Sequence, residues 1–136
     1  MRDANAFFDT NIILYLFSAD AAKANRAEEL VATGGKISVQ VLNEVANVAH
    51  RKLQFSWREV IDMTTQIQLV CPVAPLTVET HARGLQTAER YRMSVYDGMI
   101  VASALLSGCA TLFTEDMQDG QVIDGQLTIR NPFVPR

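Results

Sequence analysis

The chain has 136 residues, 49% hydrophobic and 20% charged, with a formal net charge of −3 at pH 7. That is enough for one core and too little for two, so one soluble globular domain over residues 1–136 is expected. No apolar run approaches the roughly 18 residues of a membrane span, and the acidic balance supplies no bulk cationic field for non-specific nucleic-acid binding. It remains compatible with a nuclease whose carboxylates are neutralised by a metal.

The first residues lead into an apolar segment without a signal-peptide pattern. Ala6-Phe7-Phe8 has the character of a short buried strand, and Ile12–Phe17 is a second apolar run. Between them Asp9-Thr10-Asn11 suits a strand-to-helix corner, because these side chains accept hydrogen bonds from uncapped backbone N–H groups. Ala21–Val31 is rich in helix formers and is ended by Gly34-Gly35. Lys36-Ile37-Ser38 is a short strand. Gln40–Lys52 reads as a helix from the spacing of Val41, Val45, Val48 and Ala49. Ser56-Trp57-Arg58-Glu59 is a capping box that opens a helix through about Gln68.

Leu69–Val73 is a candidate strand closed by Pro72 and Pro75, and Thr77–Tyr91 a helix carrying Leu85 and Ala88. Ser94–Ser107 predicts a nearly all-apolar helix stopped by Gly108, followed by a strand at Ala110–Phe113 and a turn at Thr114–Gly120. Leu127–Arg130 is the last short strand. The alternation implies a mainly parallel sheet with helices on both faces. Cys71 and Cys109 lie far apart in apolar contexts and read as buried thiols of a cytoplasmic protein.

In such a sheet ligands bind beyond the carboxyl ends of the strands, and several acids fall at that edge. Taken alone, Asp9 or Asn11 is a helix cap. Glu44 borders the apolar stripe of its helix, where a snorkelling edge residue is common. Asp97 is the charged residue of an otherwise apolar helix and is expected to be buried on most sides, although Ser94-Val95-Tyr96-Asp97 also fits a capping box. Thr114-Glu115-Asp116 directly follows a strand, where an Asx-turn is common, and Asp119 beside Gly120 has the character of a turn residue. Together, Asp9, Asp97 and Asp116 are expected to converge on one rim with Glu44 nearby. Carboxylates packed together repel one another unless a cation joins them, and an all-oxygen set selects Mg²⁺ or Mn²⁺ over zinc. His50 and His81 lie in helical, charged stretches and read as solvated surface residues.

The succession F-F-D-T-N-I-I, N-E-V, Y-D-G-M-I-V-A-S-A and L-F-T-E-D-M-Q-D-G resembles the PIN-domain nucleases. Within them it is similar to the short VapC-type toxins of bacterial toxin–antitoxin pairs. The resemblance runs over essentially the whole chain, including the tail Gln121–Phe133, and its specificity lies in the order and separation of motifs that are individually weak. It implies a three-layer α/β PIN-like fold with a mainly parallel central sheet of about five short strands. It implies a Mg²⁺- or Mn²⁺-dependent endoribonuclease that cuts RNA, often transfer or ribosomal RNA, is held inactive by a cognate antitoxin, and forms a homodimer. Asp9, Glu44, Asp97 and Asp116 match the family's acidic quartet, with Asp9, Asp97 and Asp116 as metal ligands. Asn11 and Thr114 match its supporting polar positions. Glu115 and Asp119 flank Asp116 and leave the fourth acid open. Arg51, Lys52, Arg90 and Arg92 are candidate RNA contacts, each also a helix-end cation of the kind the macrodipole favours.

Other small α/β classes fit less well. A phosphoacceptor receiver domain or a haloacid-dehalogenase-type phosphatase needs a late lysine, and none follows Lys52. A PIN-like binding module without catalysis is the remaining alternative; it would be expected to lack members of the quartet.

Overall fold

In the computed structural model, which describes residues 5–135, strands and helices alternate as expected. The opening strand β1 (Ala6–Phe8) is wholly buried and passes through extended Asp9 into a short helix, α1 (Thr10–Tyr15), which buries Ile12 and Ile13. Helix α2 (Ala21–Thr33) starts at Asp20, whose carboxylate accepts from the Ala22 and Lys23 amides, and ends at Gly34 with φ 102°, a conformation that favours glycine. Strand β2 (Ile37–Ser38) runs directly into α3 (Val39–Arg51), with the Ser38 hydroxyl capping Val41 N–H. Helix α4 (Trp57–Val70) has the expected reciprocal Ser56–Glu59 capping box. After β3 (Val73–Ala74) come α5 (Val78–Tyr91), α6 (Val95–Leu106), β4 (Thr111–Phe113), β5 (Val122–Ile123) and β6 (Leu127–Arg130).

The main sheet has four strands in the order β1-β4-β6-β5. β1 and β4 are parallel with Phe8 opposite Phe113, β4 and β6 are parallel with Leu112 opposite Ile129, and β5 returns antiparallel on β6. Parallel β2 and β3 form a second, two-stranded piece. A bridge at Phe7 and Lys36 joins it to β1, with Phe8 N–H donating to Lys36 O and Lys36 N–H to Ala6 O, both at 2.9 Å. Phe7, Phe8, Ile37, Leu112 and Ile129 lie at 0% exposure in the centre, and helix residues Ile12, Val41, Val45 and Ile100 pack over them.

The strand expected at Leu69–Val73 is a correction. α4 continues through Val70, and the strand is confined to Val73–Ala74. Leu69 is 78% exposed, so the apolar letters there are a solvent-facing helix end rather than a buried strand. Cys71 N–H still donates to Ile67 O, and Pro72, lacking an N–H, stops the helix. The hairpin partner β5 is an addition to the sequence reading. Its turn uses Asp124 (φ 51°) and Gly125 (φ 65°), both left-handed, as an Asp-Gly pair permits. Cys71 and Cys109 are buried and are not joined in a disulfide.

α5 and α6 approach with almost nothing between their backbones. A Cβ on Gly98 would stand 2.5 Å from the Gly84 carbonyl oxygen, and one on Gly84 would stand 2.4 Å from Met99 Sδ. That contact sets the position of the α6 N-terminus, and with it Asp97, against the rest of the fold.

Candidate active site

Register places the first acids. Because Phe8 and Phe113 pair in parallel, the next residue on each strand, Asp9 and Thr114, leaves the sheet at the same edge. Asp9 N–H donates to Phe113 O at 3.0 Å. Thr114 Oγ1 donates to Asp9 Oδ2 at 2.8 Å, and Thr10 N–H donates to Asp9 Oδ1 at 2.7 Å. The same Thr114 hydroxyl accepts from Asn11 Nδ2 at 3.3 Å and from Asp116 N–H at 3.1 Å. Asn11 Nδ2 also donates to Asp116 Oδ2 at 3.1 Å, while its Oδ1 accepts from Glu115 N–H at 3.2 Å. Asn11 and Thr114 therefore tie the α1 corner to the loop after β4.

Asp9, Glu44, Asp97 and Asp116 all line one cleft of about 370 Å³, together with Thr10, Asn11, Leu14, Asn47 and Val48. No Lys or Arg is among these lining residues. The acids form a burial gradient: Asp9 is buried, Glu44 and Asp97 are half-buried, and Asp116 is exposed. Asp97 is thus less enclosed than its apolar helix suggests. Its backbone N–H is capped by Ser94 Oγ at 3.1 Å, but the reciprocal bond of a capping box is absent, which leaves the carboxylate to the cleft.

Burial pushes the Asp9 carboxyl up from 3.8 to about 6, opposed by the bonds from Thr114 and Thr10 and reinforced by the charges of Asp97 and Glu44. Asp97 is raised as well, first by burial and then by the charge of Asp116. Among the described residues no Lys or Arg lines the cleft to offset the charge of these acids.

The flanking acids are accounted for elsewhere. The Glu115 carboxylate pairs with Lys23 Nζ at 2.6 Å and accepts from the Tyr15 hydroxyl. Burial works against its ionisation, yet those two bonds hold its carboxyl below the usual range. Lys23 Nζ sits 4.6 Å from the Tyr15 ring centre and 5.2 Å from that of Phe133, and Tyr15 and Phe133 meet edge to face. Asp119 accepts from Asn131 N–H at 2.9 Å. Of the late acids, Asp116 is the one that lines the cleft.

The expected cations do not line it. Arg51 and Lys52 are exposed at the end of α3, and Arg92 is exposed at the left-handed C-cap of α5. Arg90 lies 3.6 Å from Asp124, which also pairs with Arg83 at 3.1 Å. His81 is exposed, whereas His50 is half-buried, with Nδ1 3.0 Å from Phe55 O and its ring stacked on Trp57 at 3.6 Å.

Two residues escaped the sequence reading. Gln40 Nε2 donates to Glu44 Oε1 at 3.3 Å and to Tyr96 O at 3.0 Å, and Thr10 Oγ1 donates to Glu44 Oε1 at 3.3 Å. Gln40 was discoverable, since it stands one turn before Glu44 on the same helix face. Lys23, which holds the Asp116 loop through a partner 92 positions away, carries no local signal.

The PIN domain family model matches residues 6–118, and the chain belongs to that family. No curated protein matches at a significant level. Among solved structures the chain is similar to a toxin–antitoxin complex from Klebsiella pneumoniae, with a TM-score of 0.72 and 23% identity over 94% of this chain and 98% of the other. It is similar to VapC20 of Mycobacterium tuberculosis, a toxin that cleaves the sarcin–ricin loop, with a TM-score of 0.64 and 21% identity over 79% and 86%. It is also similar to VapBC2 from Rickettsia felis, bound there to promoter DNA, with a TM-score of 0.64 and 17% identity over 93% and 98%. At these identities the likeness is one of fold: a PIN fold shared with toxins of toxin–antitoxin systems.

The donor set of the cleft fits a hard divalent cation, because its carboxylates, hydroxyl and amides offer oxygen and, among the described residues, no thiol or imidazole lines it. Among the described residues no three His, Cys, Asp or Glu side chains are already arranged to hold an ion directly.

Proposed function

We propose that this protein is a Mg²⁺- or Mn²⁺-dependent endoribonuclease of the toxin type. The observation that carries the reading is the gathering of Asp9, Glu44, Asp97 and Asp116 around one cleft lined, among the described residues, by no Lys or Arg. Asp9, Asp97 and Asp116 would hold the ion. Mg²⁺ keeps several waters and needs only one or two direct carboxylates, so a loosely spaced acidic rim suits it. When bound, the cation supplies charge neutralisation and Lewis acidity toward a phosphodiester and the water that attacks it.

The protein's own groups do the orienting. Thr114 and the Thr10 amide aim Asp9, and Asn11 aims Asp116. Among the described residues the bonds to Glu44, from Thr10 and Gln40, fall on Oε1, which leaves Oε2 to orient the attacking water and take its proton. Water oxygen bonds to phosphorus, the bond to O3′ breaks, and O3′ takes up a proton from solvent water, leaving a 5′-phosphate and a 3′-hydroxyl. Arg51, Lys52 and Arg92 would contact the RNA backbone, with Arg90 contributing less because Asp124 shares its charge.

We further propose a cytoplasmic homodimer neutralised by an antitoxin; among the described residues no helix is long and apolar enough to cross a membrane. An apolar groove of about 300 Å³ that includes Leu14, Phe17, Val48 and Leu53 meets the acidic cleft at Asn11, Leu14 and Val48. An antitoxin segment with apolar side chains and an Arg or Lys would fill the groove and neutralise the acids.

A second reading, a binding module without catalysis, is favoured by the absence of a ready-made direct ligand set among the described residues. One experiment separates the two. The purified protein should cleave RNA with millimolar Mn²⁺ or Mg²⁺ and not after chelation, and Asp97→Asn should abolish cleavage while remaining folded. An Asp97→Asn enzyme as active as the parent, or cleavage that survives exhaustive chelation, would end the metal-nuclease assignment.

A further inference from the structure

We propose that the groove beside the acidic cleft is a nucleobase subsite, in which Tyr96 stacks on a base of single-stranded RNA and the Asn43 and Asn47 amides contact its edge. This rests on the nuclease reading and extends it to how the substrate is chosen. The groove, of about 510 Å³, runs between α3 and the starts of α5 and α6, within the size range of small-ligand pockets. It shares Glu44 and Asn47 with the cleft, so an RNA strand with its phosphate at the carboxylates has a neighbouring nucleotide at the groove.

The lining has the chemistry of a base site. Tyr96, the residue before Asp97, is 72% exposed and shares the groove with exposed Val95 and Leu76, a contiguous apolar patch of the kind that marks interaction sites. Its backbone is held, because Gln40 Nε2 bonds its carbonyl and Glu44 together. Val95 and Leu76 add apolar wall. The Asn43 and Asn47 side chains make no hydrogen bond among the described residues, so both offer an amide donor and acceptor to a base edge. Charge chooses between the parts of a nucleotide. Glu44 is the carboxylate of the groove, His81 is its imidazole, and among the described residues no Lys or Arg lines it, so the groove offers a phosphate no Lys or Arg partner and suits a neutral base better. Splayed bases stacked on aromatic rings and read at their edges are the usual mode of single-strand RNA recognition.

Tyr96→Ala, Tyr96→Phe and Asn43→Ala test this, with steady-state cleavage of a short fluorescein-labelled single-stranded RNA of random sequence and mapping of the cut sites. Loss of one base stack is expected to raise KM roughly tenfold in Tyr96→Ala. The same variant should keep kcat within about twofold, as expected of uniform binding, while Tyr96→Phe behaves as the parent and Asn43→Ala alters the base preference next to the cut. Tyr96 is largely exposed, and unchanged thermal melts confirm that each variant folds. An active parent with unaltered KM in Tyr96→Ala would overturn the subsite alone. A parent that cleaves no RNA with Mn²⁺ or Mg²⁺ would overturn the nuclease reading and the subsite with it. Light scattering covers the rival occupant: if Tyr96→Ala changes the oligomeric mass and raises KM only through that loss, the groove is a protein interface.

Discussion

Asp9→Asn removes the most buried charge of the cleft, and its effect on stability has a sign that depends on pH. In the folded protein the Asp9 carboxyl titrates at about 6 rather than 3.8, because burial disfavours its charged form. Well below pH 3.8 neither the folded nor the unfolded chain is ionised there, and stability is undiminished. As pH rises from 3.8 to about 6 the unfolded chain releases its proton first, and stability is lost until the folded group has titrated too. The full loss is about 3 kcal/mol, taking about 1.36 kcal/mol per pH unit. Asparagine avoids it. Asparagine also forfeits a bond, because Thr114 Oγ1 already accepts from Asn11 and Asp116, and an amide NH₂ in place of Oδ2 would present a third donor. That costs about 1 kcal/mol.

Without divalent ions, Asp9→Asn is therefore expected to be more stable than the parent by about 2 kcal/mol above neutral pH, or roughly 6 °C in Tm. In strong acid it should be less stable by about 1 kcal/mol, with the curves crossing near about pH 4.5. Urea unfolding in EDTA, followed by circular dichroism across this range, measures both arms. Parallel curves for the two proteins would show that Asp9 is not an ion held against its preference, and would remove the electrostatic case for a cation at the cleft. Saturating Mn²⁺ should reverse the order, since the parent gains stability from an ion that the variant binds poorly.

Gly98→Ala drives a methyl group to 2.5 Å from the Gly84 carbonyl oxygen, so α5 and α6 must part. It should cost about 1–3 kcal/mol in urea unfolding and lower metal affinity by moving Asp97; an unchanged midpoint would contradict the packing described. Lys23→Met removes the ion pair that holds Glu115 and should speed amide hydrogen exchange across residues 114–116, with a smaller fall in Tm than Gly98→Ala. Exchange identical to the parent's would show that the Asn11 bonds alone order the loop. Millimolar Mn²⁺ should raise the Tm of the parent and shift Asp97→Asn less, and equal shifts in both would place the ion elsewhere.

Much of this molecule is legible in local chemistry. Ser56-Trp57-Arg58-Glu59 must cap a helix because both halves of the exchange lie within one turn. Asp9 turns a strand into a helix because its side chain accepts from the free amide next to it. The four acids were nameable for the same reason, each standing at the end or edge of an element whose type follows from periodicity and from the family order of motifs.

Tertiary structure decided what depends on partners distant in sequence. Leu69 and Val70 are apolar in any frame, and only the way α4 packs made them the solvent-facing end of a helix. Asp97 follows a strongly apolar pattern but opens onto a cleft because α6 is set by the Gly84–Gly98 contact with α5. Glu115 and Asp116 are adjacent and chemically alike. Lys23 and Tyr15, brought from α2 and α1, claim Glu115, while Asn11 turns to Asp116. A sequence sets the charge and reach of each side chain within a few residues of itself. Which of two neighbouring carboxylates is neutralised, and which is left facing the cleft, is an electrostatic outcome of long-range packing that exists only once the chain has folded.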